Sequence, residues 1–130
     1  MSGNFGFGKA VDMGFDEAVG RVTEELASEG FGVLTQIDVQ ATLKKKLGED
    51  MRPYLILGAC NPQLAHQAIS AVPDIGLLLP CNVLIRVDEQ DQVRVEFMDP
   101  ASVLGLVDDP RVEPLALQVR QKLENVMAVL

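Results

Sequence analysis

Each of the two cysteines in this chain is followed by asparagine, and a proline adjoins each pair. The six residues of these two corners are Cys60, Asn61, Pro62, Pro80, Cys81 and Asn82. A thiol can act as a nucleophile, one half of a redox pair or a metal ligand, and an asparagine amide can hold an anion or a carbonyl oxygen. A helix starting after Cys60 would lower the pKa of that thiol through its dipole. We therefore treat the two corners as a candidate ligand-binding site.

His66 is the only histidine and lies close to the first corner. With the two cysteines it would make three metal ligands, but tight zinc motifs place ligand pairs about two to four residues apart, and no such pair occurs here. A Cys-His catalytic dyad would need the imidazole to reach back a full helical turn. We keep His66 as a candidate ligand-binding residue, and we expect no metal and no cofactor.

The corners lie between elements that hydrophobic periodicity predicts. The predicted strands are residues 5–13, 31–37, 54–59, 82–87 and 93–98, and the predicted helices are residues 15–29, 39–47, 62–72 and 113–130. The order β-α-β-α-β-α-β-β-α ends with an antiparallel hairpin and one helix. It predicts an α+β fold, with a five-stranded mixed, mainly antiparallel sheet and helices packed on one face, in a single domain of residues 1–130.

The relative direction of the third and fourth strands decides whether the two corners meet. Cys60 ends the third strand, and Cys81 starts the fourth. If these strands are antiparallel, both cysteines lie at one end of the sheet; if they are parallel, the cysteines lie at opposite ends. Asn61 and Pro62 are typical of a helix start. The apolar stretch 73–80 is expected to return from that helix as an extended, packed segment.

Composition excludes several classes of partner. The net charge is −8, and the chain has no Trp and one Tyr, which argues against binding to nucleic acid. No apolar run approaches the about 20 residues that cross a bilayer, so we expect no membrane partner and a cytoplasmic location. In that compartment the two cysteines are expected to be free thiols.

Three segments carry a resemblance to a known family: EGFGVLTQIDVQATLKKKLG, YLILGACNPQLAHQAI, and IGLLLPCNVLIRV followed by MDP. Their order and the paired Cys-Asn corners resemble the uncharacterised family called domain of unknown function 302, over nearly the whole chain. The resemblance implies a small bacterial or archaeal α+β domain with no assigned reaction. It also implies that the six corner residues occupy signature positions of the family.

Three functions remain open, and whether the protein is an enzyme is not decided. The favoured one is a domain that binds or senses an unknown small molecule at the two corners. The second is a thiol-dependent enzyme or redox protein, with Cys60 as nucleophile and Cys81 as resolving thiol. The third is a structural or interaction protein without pocket chemistry. We expect a homodimer, with an interface from the arm that carries Val93, Val95 and Phe97.

Overall fold

The computed structural model describes residues 4–130. The strands are β1 (Gly6–Val11), β2 (Gly32–Asp38), β3 (Tyr54–Cys60), β4 (Cys81–Val87) and β5 (Val93–Met98). The helices are α1 (Phe15–Ser28), α2 (Val39–Leu47), α3 (Pro62–Ala71), α4 (Pro100–Val103) and α5 (Glu113–Ala128). Two 3-10 helices lie at Pro73–Leu78 and Leu104–Val107. Within residues 4–130, none of the helices has both the length and the apolar character needed to cross a membrane.

All five strands form one sheet in the order β1-β5-β4-β3-β2. Every neighbouring pair is antiparallel. The predicted α+β fold with a five-stranded sheet is therefore confirmed, and the sheet is wholly antiparallel where the sequence left room for a parallel pair. The hairpin of β4 and β5 lies at the centre of the sheet, and β1 and β2 form its edges.

The helical boundaries follow capping signals that are readable in the sequence. Asp38 accepts a hydrogen bond from the backbone N–H of Ala41 at 2.9 Å, which caps α2 at its N-terminus. Gly48 ends α2 in the left-handed region, with a φ of 68°. Gly30, at a φ of 85°, follows α1 in the same way. These three positions confirm the predicted bounds of α1 and α2 to within two residues.

The core lies between one face of the sheet and the helices α1 and α5. Alternate residues of the central strands point to this side and are buried, among them Leu57, Val83 and Val95. They meet Val22 of α1, and α1 in turn contacts α5. Burial of these apolar side chains stabilises the fold by about 2 kcal/mol for each fully buried residue.

Val93, Val95 and Phe97, which were expected to supply a dimer interface, belong to this core. Their exposed fractions are 9%, 0% and 1%. Apolar and charged residues alternate along β5 as predicted, but the apolar side chains face the helices of the same chain. The predicted interface is therefore wrong, because these side chains are covered within one chain.

The connection after α3 also differs from the expectation. Residues 73–78 form a 3-10 helix that begins at Pro73, rather than an extended segment. Leu79 and Pro80, joined by a cis peptide bond, then lead into β4. Proline suits the first turn of a helix because it has no N–H to leave unpaired, and this favours the helical start.

The segment after β5 holds an interaction that the sequence did not reveal. Asp99 is buried, caps α4 by accepting from the backbone N–H of Ala101 at 2.9 Å, and pairs with Arg120 of α5. The Arg120 guanidinium also lies 4.9 Å from the centre of the Phe7 ring. A buried carboxylate needs such partners to offset its lost hydration. Asp99 thereby ties the end of the hairpin to the last helix.

The other face of the sheet carries side chains that are partly or fully exposed. We call the side chains of this face the open face; they are Thr35, Ile37, Tyr54, Ile56, Asn82, Leu84, Arg86, Arg94, Glu96 and Met98. The register places Ile37 beside Ile56 and Ile56 beside Leu84, so three apolar side chains cross the strands in a row. The open face is therefore not purely polar.

A β-bulge interrupts β2 at Leu34. Val33 pairs with Ala59 of β3 and Thr35 pairs with Gly58, so that two steps along β2 match one step along β3. Ala59 and Gly58 are adjacent in β3 and face opposite sides of the sheet, so their partners do too: Val33 points to the helices and Thr35 points to the open face. Leu34 itself is 66% exposed.

Candidate functional site

The antiparallel pairing of β3 with β4 brings the two Cys-Asn corners to one end of the sheet. Ala59 pairs with Cys81, and Gly58 pairs with Asn82. Cys60, the next residue along β3, therefore lies one position beyond the partner of Cys81. The topology on which the candidate site depended is confirmed.

A cavity of about 380 Å³ lies at this end of the sheet, between the strands and the helices. Its walls come from β2, β3, α3, α5, the start of β4 and the segments that precede β2, β4 and α5. Four of the candidate residues line it, namely Cys60, Asn61, Pro80 and Cys81. The remaining lining residues are apolar except for Thr35, and they include Phe31, Leu64, Leu104, Leu115 and Val119. The cavity is thus an apolar chamber with two thiols, one amide and one hydroxyl in its wall.

Asn61 has a defined local role beside the cavity. Its Oδ1 accepts a hydrogen bond from the backbone N–H of Leu64 at 3.2 Å, and Pro62 occupies the first turn of α3. This is the helix start that the sequence predicted. The cap fixes the orientation of the amide, and Nδ2 faces Gly30: a Cβ at that glycine would lie 3.1 Å from it. Asn61 therefore links the start of α3 to the end of α1.

The two thiols do not have the ionisation expected for a nucleophile. Burial raises the pKa of Cys81 to about 12, and Cys60 adds to the rise through repulsion between two thiolates. Burial also raises the pKa of Cys60 above its ordinary value of 9.0. The expected lowering of the Cys60 pKa by the helix dipole is therefore wrong, because burial shifts this pKa in the opposite direction. Both thiols are neutral at pH 7.

Pro62, His66 and Asn82 do not line this cavity. Pro62 lies on the outer side of α3, in a polar groove shared with Glu29 and Lys122. His66 is exposed on α3. Asn82 follows Cys81 in β4 and so points to the open face, where it is exposed. The two Cys-Asn pairs thus contribute two thiols but one amide to the cavity wall.

Gly58 explains why the second corner sits so close to β3. A Cβ at Gly58 would lie 3.0 Å from Cγ of Pro80 and closer still to Oγ1 of Thr35. The absence of a side chain lets Pro80 and Thr35 approach the strand from the open side. A glycine inside an otherwise apolar strand was the signal available in the sequence for this close packing.

The other cavity residues carried no sequence signal of a site. Phe31, Leu104, Leu115 and Val119 are apolar residues that read as ordinary core. Leu104 lies in the 3-10 helix after α4, a segment that was not predicted as helical. Only the three-dimensional packing shows that these side chains leave a space between them.

The family model for Domain of unknown function DUF302 matches residues 7–130. The chain belongs to this family. A solved structure is similar to it over almost its full length: the "Crystal structure of uncharacterized conserved protein DUF302 from Bacillus stearothermophilus" superposes with a TM-score of 0.89 at 29% sequence identity, covering 97% of this chain and 98% of the other. No protein with a curated description matches the chain at a significant level.

The comparisons confirm the resemblance described for the three sequence segments. They support the fold from β1 to the end of α5. The family is one of unknown function, so membership assigns no reaction to the cavity or to its thiols.

Proposed function

We propose that this DUF302 protein binds a small apolar molecule in the cavity at the Cys60 and Cys81 corners. The observation that carries the proposal is the cavity itself, about 380 Å³ in volume and walled almost wholly by apolar side chains. Ligand sites in proteins are typically about 300–1,000 Å³ and mostly apolar, with a few polar groups that fix orientation. This cavity has that composition.

The chemistry of the wall favours an apolar ligand over a charged one. Neutral thiols at Cys60 and Cys81 interact with apolar groups much as small hydrophobic side chains do. Oδ1 of Asn61 is used by the helix cap and its Nδ2 faces Gly30, so the amide is committed to the ends of α3 and α1 and the cavity wall stays predominantly apolar. The raised pKa of both thiols argues against a thiolate nucleophile, and for this reason we do not propose a thiol-dependent reaction.

Exposed apolar side chains in the cavity wall support entry of such a ligand from solvent. Leu34 of the β2 bulge is 66% exposed and Ile69 of α3 is 43% exposed, and both line the cavity. Large apolar side chains next to a concave apolar surface are typical of ligand-binding grooves. They would cover the outer part of a bound molecule.

The proposal is tested by binding of the neutral fluorescent probe N-phenyl-1-naphthylamine, which responds to an apolar environment. We expect enhanced fluorescence on titration and an increase in Tm with probe concentration, because a ligand that binds only the folded state stabilises it. Ala65 of α3 lines the cavity, and Ala65→Phe should fill part of it and weaken binding at least about tenfold, or about 1.4 kcal/mol.

The matched control is Gln67→Phe, which adds the same ring to an exposed position of the same helix, outside the cavity wall. It should bind the probe as the unmodified protein does. Circular dichroism checks that both variants are folded. If the unmodified protein gives no enhancement, or if Ala65→Phe folds and binds with unchanged affinity, the proposed function is wrong.

A further inference from the structure

The open face poses a separate question, because it combines an apolar row with a cluster of charges. The row is formed by Ile37, Ile56 and Leu84, and the next residue across the strands is Glu96 of β5. Ile37 is 50% exposed. The helices α1 and α5 cover the opposite side of the sheet, where the core lies. A sheet normally buries its apolar side chains against a second layer, whereas Ile56 and Leu84 are only partly buried and Ile37 is exposed.

The charges lie beside this row and include both signs. Arg86 pairs with Arg94 across β4 and β5, and Nε of Arg86 lies 2.7 Å from Oε1 of Glu96. Nε of Arg94 is 3.9 Å from Oε2 of the same carboxylate, too far for a hydrogen bond. Asp88 follows β4 and is buried in the turn: hydrogen bonds from the backbone N–H groups of Gln92 and Gln90 lower its pKa, and the nearby Arg86 and Arg94 add to that effect.

Glu96 is thus the carboxylate closest to the guanidinium groups of both Arg86 and Arg94. The Nε of Arg94 is the buried side-chain polar atom that has no hydrogen-bond partner within residues 4–130. Guanidinium groups have five donors and form strong paired hydrogen bonds with carboxylates. The Arg94 side chain is 23% exposed, so a further carboxylate placed over the open face would meet the exposed end of its guanidinium, and Glu96 of a second chain is such a group.

From these observations we propose that two copies of this protein associate through their open faces in a two-fold symmetric dimer. In an isologous contact the same surface meets itself, so a surface must carry both signs of charge to be self-complementary. The open face carries both signs, in Arg86 and Arg94 on one side and Glu96 on the other. The apolar rows of the two copies would lie against each other next to it, as in two packed sheets.

The size of the open face fits contact with a second copy of the protein. Five strands spaced about 4.8 Å apart and about six residues long give a footprint of about 24 Å by 20 Å. Two such footprints total about 960 Å² without the relief of the side chains, which is close to the about 1,000 Å² that a specific interface needs. The small residues Gly8 and Ala10 of β1 keep that edge of the face low.

The association is tested by light scattering coupled to size-exclusion chromatography at about 100 µM chain, a concentration at which a Kd of about 1 µM gives mostly dimer. We expect a mass twice the 14.1 kDa of the chain. Leu84→Arg places a charge within the apolar row and should give the monomer mass. Ile37→Arg, at an exposed position of the edge strand, tests the same surface without disturbing a central strand.

The control is Leu117→Arg, at a position of α5 that is 54% exposed on the helical side of the molecule. It should keep the dimer mass. A monomer mass for the unmodified protein would overturn the proposal, and so would folded Leu84→Arg and Ile37→Arg variants that both remain dimers. Binding of the naphthylamine probe does not depend on this result, so the two proposals fail separately.

Discussion

The two Cys-Asn corners have the same sequence but different surroundings. At the first corner Asn61 is bound into a helix cap and Cys60 is half-buried at the end of β3. At the second corner Asn82 is exposed on the open face and Cys81 is buried against the helices. The difference arises because the first pair spans a strand-to-helix turn, whereas the second pair lies inside a strand, where successive side chains point to opposite faces. The same dipeptide therefore has different roles at the two positions.

The largest expected difference between the corners is their tolerance of charge. Cys81→Asp buries a carboxylate in an apolar wall and should destabilise the protein by about 3 kcal/mol or more. Cys60→Asp places the charge at a half-buried position, where the carboxylate keeps part of its hydration, and should cost about 1 kcal/mol. Urea unfolding at neutral pH measures both. Equal losses would show that the two thiols share one environment.

A smaller difference between the two corners is expected in how each cysteine affects the stability of the protein in alkaline solution. The folded state keeps the Cys81 proton up to a pKa of about 12, whereas the unfolded chain loses it near pH 9.0. Stability therefore falls as pH rises through this window, by about 1.4 kcal/mol per pH unit at most, and by about 2 kcal/mol between pH 9 and pH 11.

Urea unfolding of Cys81→Ala over the same pH range isolates this effect from the titration of lysines and tyrosine. The variant should lose less stability with pH than the unmodified protein does. Cys60→Ala should keep most of the alkaline loss, because burial, not Cys60, is the first cause of the Cys81 shift. Parallel pH profiles for all three proteins would contradict the assignment of Cys81 to a dry environment.

The smallest expected difference concerns the two asparagines. Asn61→Ala removes the cap of α3 and should destabilise the protein by about 1 kcal/mol, whereas Asn82→Ala should change stability by less than about 0.5 kcal/mol. Asn61→Asp keeps a capping acceptor and should recover most of the loss. Thermal unfolding of the three variants is sufficient. A loss at Asn82 equal to that at Asn61 would mean that the second amide has a structural partner.

The sequence was sufficient for the five strands, the four longer helices and the caps of α2 and α3, because these depend on local chemistry. The period of α1, the Asp38 cap and the Asn61-Pro62 helix start each act within one helical turn, and each lies where it was predicted. The stretch 73–78 was mistaken for an extended segment because its apolar composition suits both a strand and a packed 3-10 helix.

The cavity and the sides of the sheet could not be predicted, because they depend on contacts distant in sequence. The cavity wall joins Phe31 to Leu115, and the pairing of Asp99 with Arg120 joins β5 to α5. A dimer surface on the arm of Val93, Val95 and Phe97 was plausible only while the position of the helices was unknown. The alternation in β5 showed that one side is apolar, but not which layer covers it.

The bulge at Leu34 changes the orientation of the residues that follow it in β2. If β2 kept a regular pleat through Leu34, Thr35 and Ile37 would point to the same side as Val33, toward the helices. The bulge thus gives the cavity an exposed leucine and the opposite surface an isoleucine. Bulges in edge strands also oppose strand addition by another chain. A single irregularity therefore disfavours pairing at this edge of the sheet, whereas the contact between copies that we propose uses the broad open face.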